Sequence, residues 1–335
     1  TYLIIKLLCI YTECNGWRMI LLVNCHVNGI GWQDGMKSLQ TAHPKQFTTQ
    51  KAAHGLTIIE TVNTQMFGTN TIKNTTDLQM ENISVLQNFD SSCLRTDPYN
   101  YICIENALPQ DIYDKLDAEY PKDTILEHAK GVDNDTCYRL NASLAIQDNL
   151  LQGIWKDFYE YHTSNEFYNS MVDIFWPLIP ENLQKDLRGK TSVRTKGRGL
   201  TSLVTDCQAV IHQPIAGSTR TPHVDNPIEI YAGLFYMKRA DDNTTGGDFN
   251  IHKVTTNNFS VVKKDGRSVP TNILDTITET ITYKANTFCC FLNLPGSVHS
   301  VTPRTPMPTV ERRSVNIIAE FNAKIGKKMY NQSLI

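Results

Sequence analysis

The chain lacks an apolar run long enough to cross a bilayer, a Cys-x-x-Cys spacing among its nine cysteines, and any sizeable net charge. Each absence narrows the function. The two most apolar stretches near the start, residues 1–11 and 20–23, fall short of the roughly 18 to 20 residues a membrane span requires, and Lys6 interrupts the first. Neither is joined to a basic start and a small-residue cleavage site, so no cleaved signal is expected. With 32 basic and 34 acidic side chains the net charge is −2, which gives no general pull toward nucleic acid. The cysteines do not follow a zinc-ribbon pattern. Cys289 and Cys290 are neighbours in an apolar run, so on a strand they face opposite ways and read as core thiols rather than a disulfide. That favours a reducing compartment and hence a cytoplasmic protein. Asn-x-Ser/Thr triplets occur at Asn74, Asn82 and Asn141, as a chain rich in Asn and Thr produces without glycosylation.

A chain of 335 residues can hold one large β domain with helical decoration, or two domains. Residues 40–80 are rich in Thr, Asn and Gln with little periodicity, so residues 1–79 are expected to be a poorly ordered extension dispensable for the fold. The domain is expected over 80–325, with helical support over 98–190 and a barrel of strands over 200–322. Within the support, the run from Tyr99 to Ile104 alternates like a strand, and Pro109-Gln110-Asp111 opens a helix. Its apolar stripe is Ile112, Leu116 and Tyr120, and Pro121 ends it. A longer helix is expected over 144–162, carrying Leu150, Ile154, Phe158 and Tyr161 at helical spacing. Ser164 caps a third, with Phe167, Met171, Ile174, Phe175 and Leu178. These stripes read as core packing against a sheet. The basic stretch 188–199 reads as a solvated loop or a contact to an anionic partner.

From residue 200 the period becomes that of strands. Residues 206–213 form one strand, in which His212 is expected as a hydrogen-bonded strand histidine. Residues 230–237 are apolar almost throughout and read as a strand buried on both faces. A polar turn at 241–247 ends in Gly246-Gly247, where positive φ is permitted; it lacks the Glu that a calcium loop would need. His252 is expected at the surface. Residues 254–282 suit a hairpin excursion turning at Asp265 and Gly266. On a strand over 312–321, Arg312, Ser314, Asn316 and Ile318 share one face, while Arg313, Val315, Ile317 and Ala319 share the other.

One motif carries chemistry. His223 and Asp225 are two residues apart, so on an extended segment both side chains leave the same face. His299 follows 76 residues later, after the apolar strand 287–292 and the turn Asn293-Leu294-Pro295-Gly296. Two imidazoles and one carboxylate form the ligand set of a facial-triad iron(II) site, which leaves positions open for co-substrate and dioxygen. A His-x-Asp pair alone is weak, since nine histidines make such pairs by chance. Its order with the strand 230–237, the Gly246-Gly247-Asp248-Phe249 turn, His299 and the Arg312-Arg313-Ser314 strand is more specific.

In that order the sequence resembles the 2-oxoglutarate- and Fe(II)-dependent dioxygenases, in their prolyl-4-hydroxylase-like branch, over about residues 200 to 322 and more loosely back to about 98. The resemblance implies a mainly β (α+β) fold, a double-stranded β-helix or jelly-roll barrel packed on N-terminal helices. It implies His223, Asp225 and His299 as the metal ligands and catalytic centre. Arg312 would anchor the far carboxylate of 2-oxoglutarate, with Ser314 and the Tyr236 hydroxyl beside it; Arg313 is the rival anchor if the register slips by one. The implied cofactors are Fe(II) and 2-oxoglutarate, with ascorbate as an accessory, and dioxygen is consumed as 2-oxoglutarate is decarboxylated to succinate. Asp225 stands where related halogenases carry a small residue, which favours hydroxylation. Ile318 and Ala319 stand where nucleic-acid demethylases of the superfamily carry a second arginine. The implied substrate is a prolyl or other peptidyl side chain, or a small molecule. Two other readings stay open: a non-catalytic β-barrel binding module, and a cupin-like metalloenzyme that does not use 2-oxoglutarate.

Overall fold

The computed structural model describes residues 83–129, 131–132, 137–179, 181–194, 203–214, 220–256 and 268–321. The extension expected over 1–79 and the turn at Asp265 and Gly266 lie outside the described residues.

The described strands are, in chain order, β1 (Leu94–Arg95), β2 (Tyr101–Glu105), β3 (Gly131–Val132), β4 (Cys137–Leu140), β5 (Thr191–Val193), β6 (Leu203–His212), β7 (Glu229–Tyr236), β8 (Phe249–Val254), β9 (Leu274–Ile281), β10 (Thr287–Leu292), β11 (His299–Val301) and β12 (Arg312–Phe321). They form two sheets rather than one continuous closed barrel. The larger has the order β1-β2-β10-β7-β12-β6-β4-β3, antiparallel throughout, with β5 added parallel to β6; the smaller is antiparallel β11-β8-β9. The segment expected as helical support, 98–190, therefore also supplies three strands of the larger sheet, β2 to β4, and β5 follows directly after it.

Strand alternation decides what each face of the larger sheet holds. Phe288, Cys290, Leu292, Tyr231, Phe235, Val315, Ile317, Ala319, Cys207, Ala209 and Ile211 join the helices in one apolar core. On the opposite face, Ala232, Tyr236, Cys289 and Phe291 pack with Phe249, Ile251 and Ile281 of the smaller sheet. Cys289 and Cys290 thus lie in two different cores, both as free thiols. At Gly233 in β7 an added Cβ would lie 2.8 Å from the buried Phe288 ring, so this position needs glycine for helix-side packing.

The helices are α1 (Gln110–Ala118), α2 (Lys122–His128), α3 (Gly153–His162), α4 (Asn165–Phe175) and the single turn α5 (Glu181–Gln184). In α1 the buried residues are Tyr113 and Leu116; Ile112 is only half-buried. The helix expected over 144–162 is broken in two. Ser143–Gln147 makes a π-turn, and α3 starts only at Gly153, because Asn149 (φ 52°) and Gly153 (φ 58°) sit in the left-handed region that a helix interior excludes. Ser164 caps α4 as expected, its side chain accepting from the Phe167 N–H at 3.1 Å. Of the basic stretch 188–199, Arg188 pairs with Asp173 and lies 4.3 Å over the Trp176 ring, and β5 follows; residues 195–199 lie outside the described residues.

α3 ends in a histidine that ties this layer to the start of the described domain. His162 Nδ1 donates to the Phe158 carbonyl at 2.7 Å, so Nε2 is free to accept the Val85 N–H at 3.2 Å. Burial among Phe158, Tyr161 and Phe167 pushes its pKa from 6.5 to about 3. Between those values the unfolded chain binds the proton that the folded chain refuses. The contribution is therefore present above pH 6.5 and is lost as pH falls toward 3. One such group costs about 2 kcal/mol of stability between about pH 6.5 and pH 5, above the carboxylate range. Urea unfolding midpoints at those two pH values check this; identical midpoints refute it.

Candidate functional site

His223 and His299 are brought together by the backbone. They form an antiparallel bridge in which each N–H donates to the other's carbonyl at 3.0 Å. This pairing sets the two imidazoles side by side, with ring centroids 4.2 Å apart. Val224, between His223 and Asp225, turns the other way and packs with Val269 and Val298, so His223 and Asp225 share one side. Asp225 places one carboxylate oxygen 3.7 Å from His223 Nε2 and the other 3.7 Å from His299 Nε2. The three ligand atoms all lie within 4.8 Å of one another, the one such grouping of His, Cys, Asp and Glu among the described residues.

The tautomers suit a metal. His223 Nδ1 donates to the Thr221 carbonyl at 2.8 Å and His299 Nδ1 to the Ser297 carbonyl at 3.0 Å, which leaves both Nε2 atoms unprotonated beside Asp225, that of His223 also within reach of the Arg220 N–H. Burial, and then the neighbouring His299, drive the pKa of His223 down to about 3 although Asp225 pulls it up. Burial likewise lowers His299. Two neutral imidazoles, each oriented by its Nδ1 contact, and a carboxylate are a donor set for a divalent transition metal. Phe249 and Phe291 cover His299, at centroid distances of 5.0 and 4.6 Å.

The triad opens on a cavity of about 210 Å³ between the two sheets, lined also by Arg139, His212, Arg220, Asn316 and Arg312. Arg312 is buried and faces this side, while Arg313 faces the helices, pairing with Glu311 at 2.9 Å and lying 4.6 Å over the Tyr120 ring. Arg312 donates through Nε and Nη2 to the Gly247 carbonyl, at 3.2 and 3.1 Å, and its guanidinium lies 5.0 Å from the Tyr236 ring centre and 4.8 Å from that of Tyr283. Gly247 (φ 77°) and Gly246 (φ 82°) adopt the positive φ that the turn was expected to need. Ser314 and Tyr236 are direct cross-strand partners. Both hydroxyls are buried without a hydrogen-bond partner, just behind the cavity wall rather than on it.

Two histidines differ from expectation. His252 is buried in the central strand of the smaller sheet, with Nε2 2.7 Å from the Ser300 hydroxyl of the neighbouring β11. His212 lines the cavity, and its Nδ1 has no partner, so it is not the satisfied strand histidine expected. Sequence reasoning missed Arg220, whose Nε donates to His223 Nε2 at 3.3 Å, and Arg139. Arg220 stands three residues before the motif, a proximity visible in the sequence; Arg139 carried no local signal at all. Among the described residues no helix is long and apolar enough to cross a membrane.

No protein-family model matches the chain, and no curated protein matches it. Several solved structures do. A prolyl-4-hydroxylase from Pseudomonas putida is 13% identical over 66% of this chain and 92% of its own, at a TM-score of 0.37. A Trichoplax adhaerens prolyl hydroxylase, solved with a hypoxia inducible factor oxygen degradation domain peptide, is 12% identical over 77% of this chain and 97% of its own, at 0.39. The epimerase SnoN, solved with Fe3+, alpha ketoglutarate and nogalamycin RO, is 10% identical over 66% of this chain and 78% of its own, at 0.40. The structures to which this chain is similar thus include prolyl hydroxylases and an epimerase holding iron and 2-oxoglutarate, all at low identity.

Proposed function

We propose that the chain is a 2-oxoglutarate- and Fe(II)-dependent dioxygenase that hydroxylates a peptidyl (prolyl-like) or small-molecule substrate. One observation carries this reading: His223, Asp225 and His299 converge with both Nε2 atoms unprotonated, and a buried guanidinium without a carboxylate partner, Arg312, lines the same cavity. His223, Asp225 and His299 would hold the iron. Fe(II) there would supply the oxidative decarboxylation of 2-oxoglutarate by dioxygen to succinate and carbon dioxide, with the second oxygen atom passing to the substrate. Arg312 grips the far carboxylate of 2-oxoglutarate, a charge-assisted contact suited to a planar guanidinium. The Tyr236 and Ser314 hydroxyls, opposite each other on neighbouring strands and buried just behind the cavity wall, would support that carboxylate. Phe249 and Phe291 keep water from the His299 side of the centre.

Succinate formation from 2-oxoglutarate by the full chain tests the reading, with Fe(II) and dioxygen each omitted in turn. Succinate that depends on both, and rises with ascorbate present, is the expected result. No succinate from folded, iron-loaded protein, even with a panel of proline-containing peptides, would overturn it.

A further inference from the structure

The larger sheet brings a second uncompensated cation to the cavity. β4 pairs with β6 so that Arg139 lies opposite Val210 and Cys137 opposite His212. β12 pairs with the other edge of β6, with Ser314 opposite Val210 and Arg312 opposite His212. Residues directly opposite share a face, so Arg139, Val210, Ser314 and Tyr236 form one row across the sheet, and His212 and Arg312 lie side by side in the next. Arg139 therefore stands two strands from Ser314 on the cavity side, roughly 10 Å away.

Two polar atoms in this corner are buried without a partner, Nε of Arg139 and Nδ1 of His212, and both residues line the cavity that the triad opens on. Other arginines of the domain are matched: Arg304 with Asp242, Arg194 with Asp206 and Glu320, Arg239 and Arg313 with Glu311. Among the described residues no carboxylate pairs with Arg139 or with Arg312. Arg139 is half-buried, and its buried Nε, like the His212 Nδ1, is a polar atom whose missing partner is costly unless a ligand completes it. Burial keeps His212 neutral, and the charges acting on it, Arg312, Arg139 and Arg304, are all positive; the carboxylates that line the cavity are Asp225 of the triad and Glu229.

We infer that Arg139, with His212 beside it, anchors an anionic group (carboxylate or phosphate) on the substrate, so that the substrate of this site is acidic. The inference rests on the proposed function, in which 2-oxoglutarate occupies Arg312 and leaves Arg139 for a second ligand. Arg139 is then a specificity-determining residue for the substrate and takes no part in holding the co-substrate.

The test is equilibrium binding to the full chain with Fe(II) in the absence of oxygen. Acetyl-aspartate and inorganic phosphate are titrated separately after saturation with 2-oxoglutarate, and they distinguish the two kinds of anion. At least one should bind wild-type protein, at least tenfold more weakly to Arg139→Gln, and close to normally to Arg139→Lys. The affinity for 2-oxoglutarate should stay within twofold in both variants, which also shows that they are folded. An equal loss of 2-oxoglutarate affinity in Arg139→Gln would assign Arg139 to the co-substrate and overturn the inference. So would failure of both probes to bind wild-type protein that binds 2-oxoglutarate, and the proposed function would then survive. If 2-oxoglutarate itself does not bind, the proposed function fails. The same titrations without it still decide the anion site, which is upheld by a tenfold difference between wild type and Arg139→Gln and overturned by none.

Discussion

Arg312→Gln lowers the affinity for 2-oxoglutarate by roughly 100-fold, whereas Arg313→Gln leaves it within about threefold. The difference follows from strand alternation. Arg312 faces the cavity, held by the Gly247 carbonyl and flanked by the Tyr236 and Tyr283 rings, so a bound carboxylate would meet a guanidinium that is already oriented. Truncating one member of a desolvated, hydrogen-bonded charge pair costs about 2–5 kcal/mol, much of it from leaving the other charge unpaired. Arg313 faces the helices. Its guanidinium contacts Glu311 at 2.9 Å and Asp117 at 3.7 Å, so its loss appears as a stability decrease of about 1–3 kcal/mol instead. Glu311 would still keep Arg239 at 2.7 Å. Titration of 2-oxoglutarate into the iron-loaded variants, beside their urea midpoints, separates the two effects. Turnover that survives Arg312→Gln undiminished would favour a metalloenzyme that does not use 2-oxoglutarate. If Arg313→Gln abolished binding instead, the register assigned to β12 would be wrong.

What the sequence discloses about this site is set by how local the signal is. The two-residue step from His223 to Asp225 implies a shared face, and the alternation Arg312, Ser314, Asn316, Ile318 separates the cavity side from the helix side; both need only the period of a strand. The adjacency of Cys289 and Cys290 implies opposite faces by the same logic, and the structure adds that each face has its own core. Pairing between distant strands is a different matter. Nothing near residue 139 says that β4 will lie beside β6, so neither the cavity position of Arg139 nor its row with Ser314 could be read in advance. The burial of His252 fails to show for the same reason, since the partner that covers it, Ser300, is 48 residues away. The helix expected over 144–162 breaks for a local reason: the apolar spacing continues through a stretch where Asn149 and Gly153 turn left-handed, and periodicity is blind to φ.

Removing any one ligand of the triad abolishes metal-dependent stabilisation, the largest effect expected of a single substitution here. A metal that binds only the folded chain adds about 2.7 kcal/mol at a concentration 100 times its Kd. Loss of a second contact to a ligand alone weakens metal binding about 10- to 100-fold, so loss of a ligand itself should cost at least the upper figure. At the same metal concentration, His223→Ala, Asp225→Ala or His299→Ala should then gain no more than about 0.4 kcal/mol. His252→Ala, which removes a buried histidine outside the triad, should keep the full metal increment even if its own fold is weaker. The pH dependence of binding gives a further discriminating readout. Because burial holds His223 neutral down to about 3, protons compete poorly for its Nε2, and metal affinity should change little between about pH 7.5 and pH 6. An ordinary exposed histidine, titrating near 6.5, would lose severalfold over that interval. Thermal unfolding with and without Fe(II) in the absence of oxygen, for wild type and the four variants at both pH values, measures all of this. Equal metal increments in wild type and the triad variants would show that the ion binds elsewhere, and the convergence of these three side chains would then have no catalytic meaning.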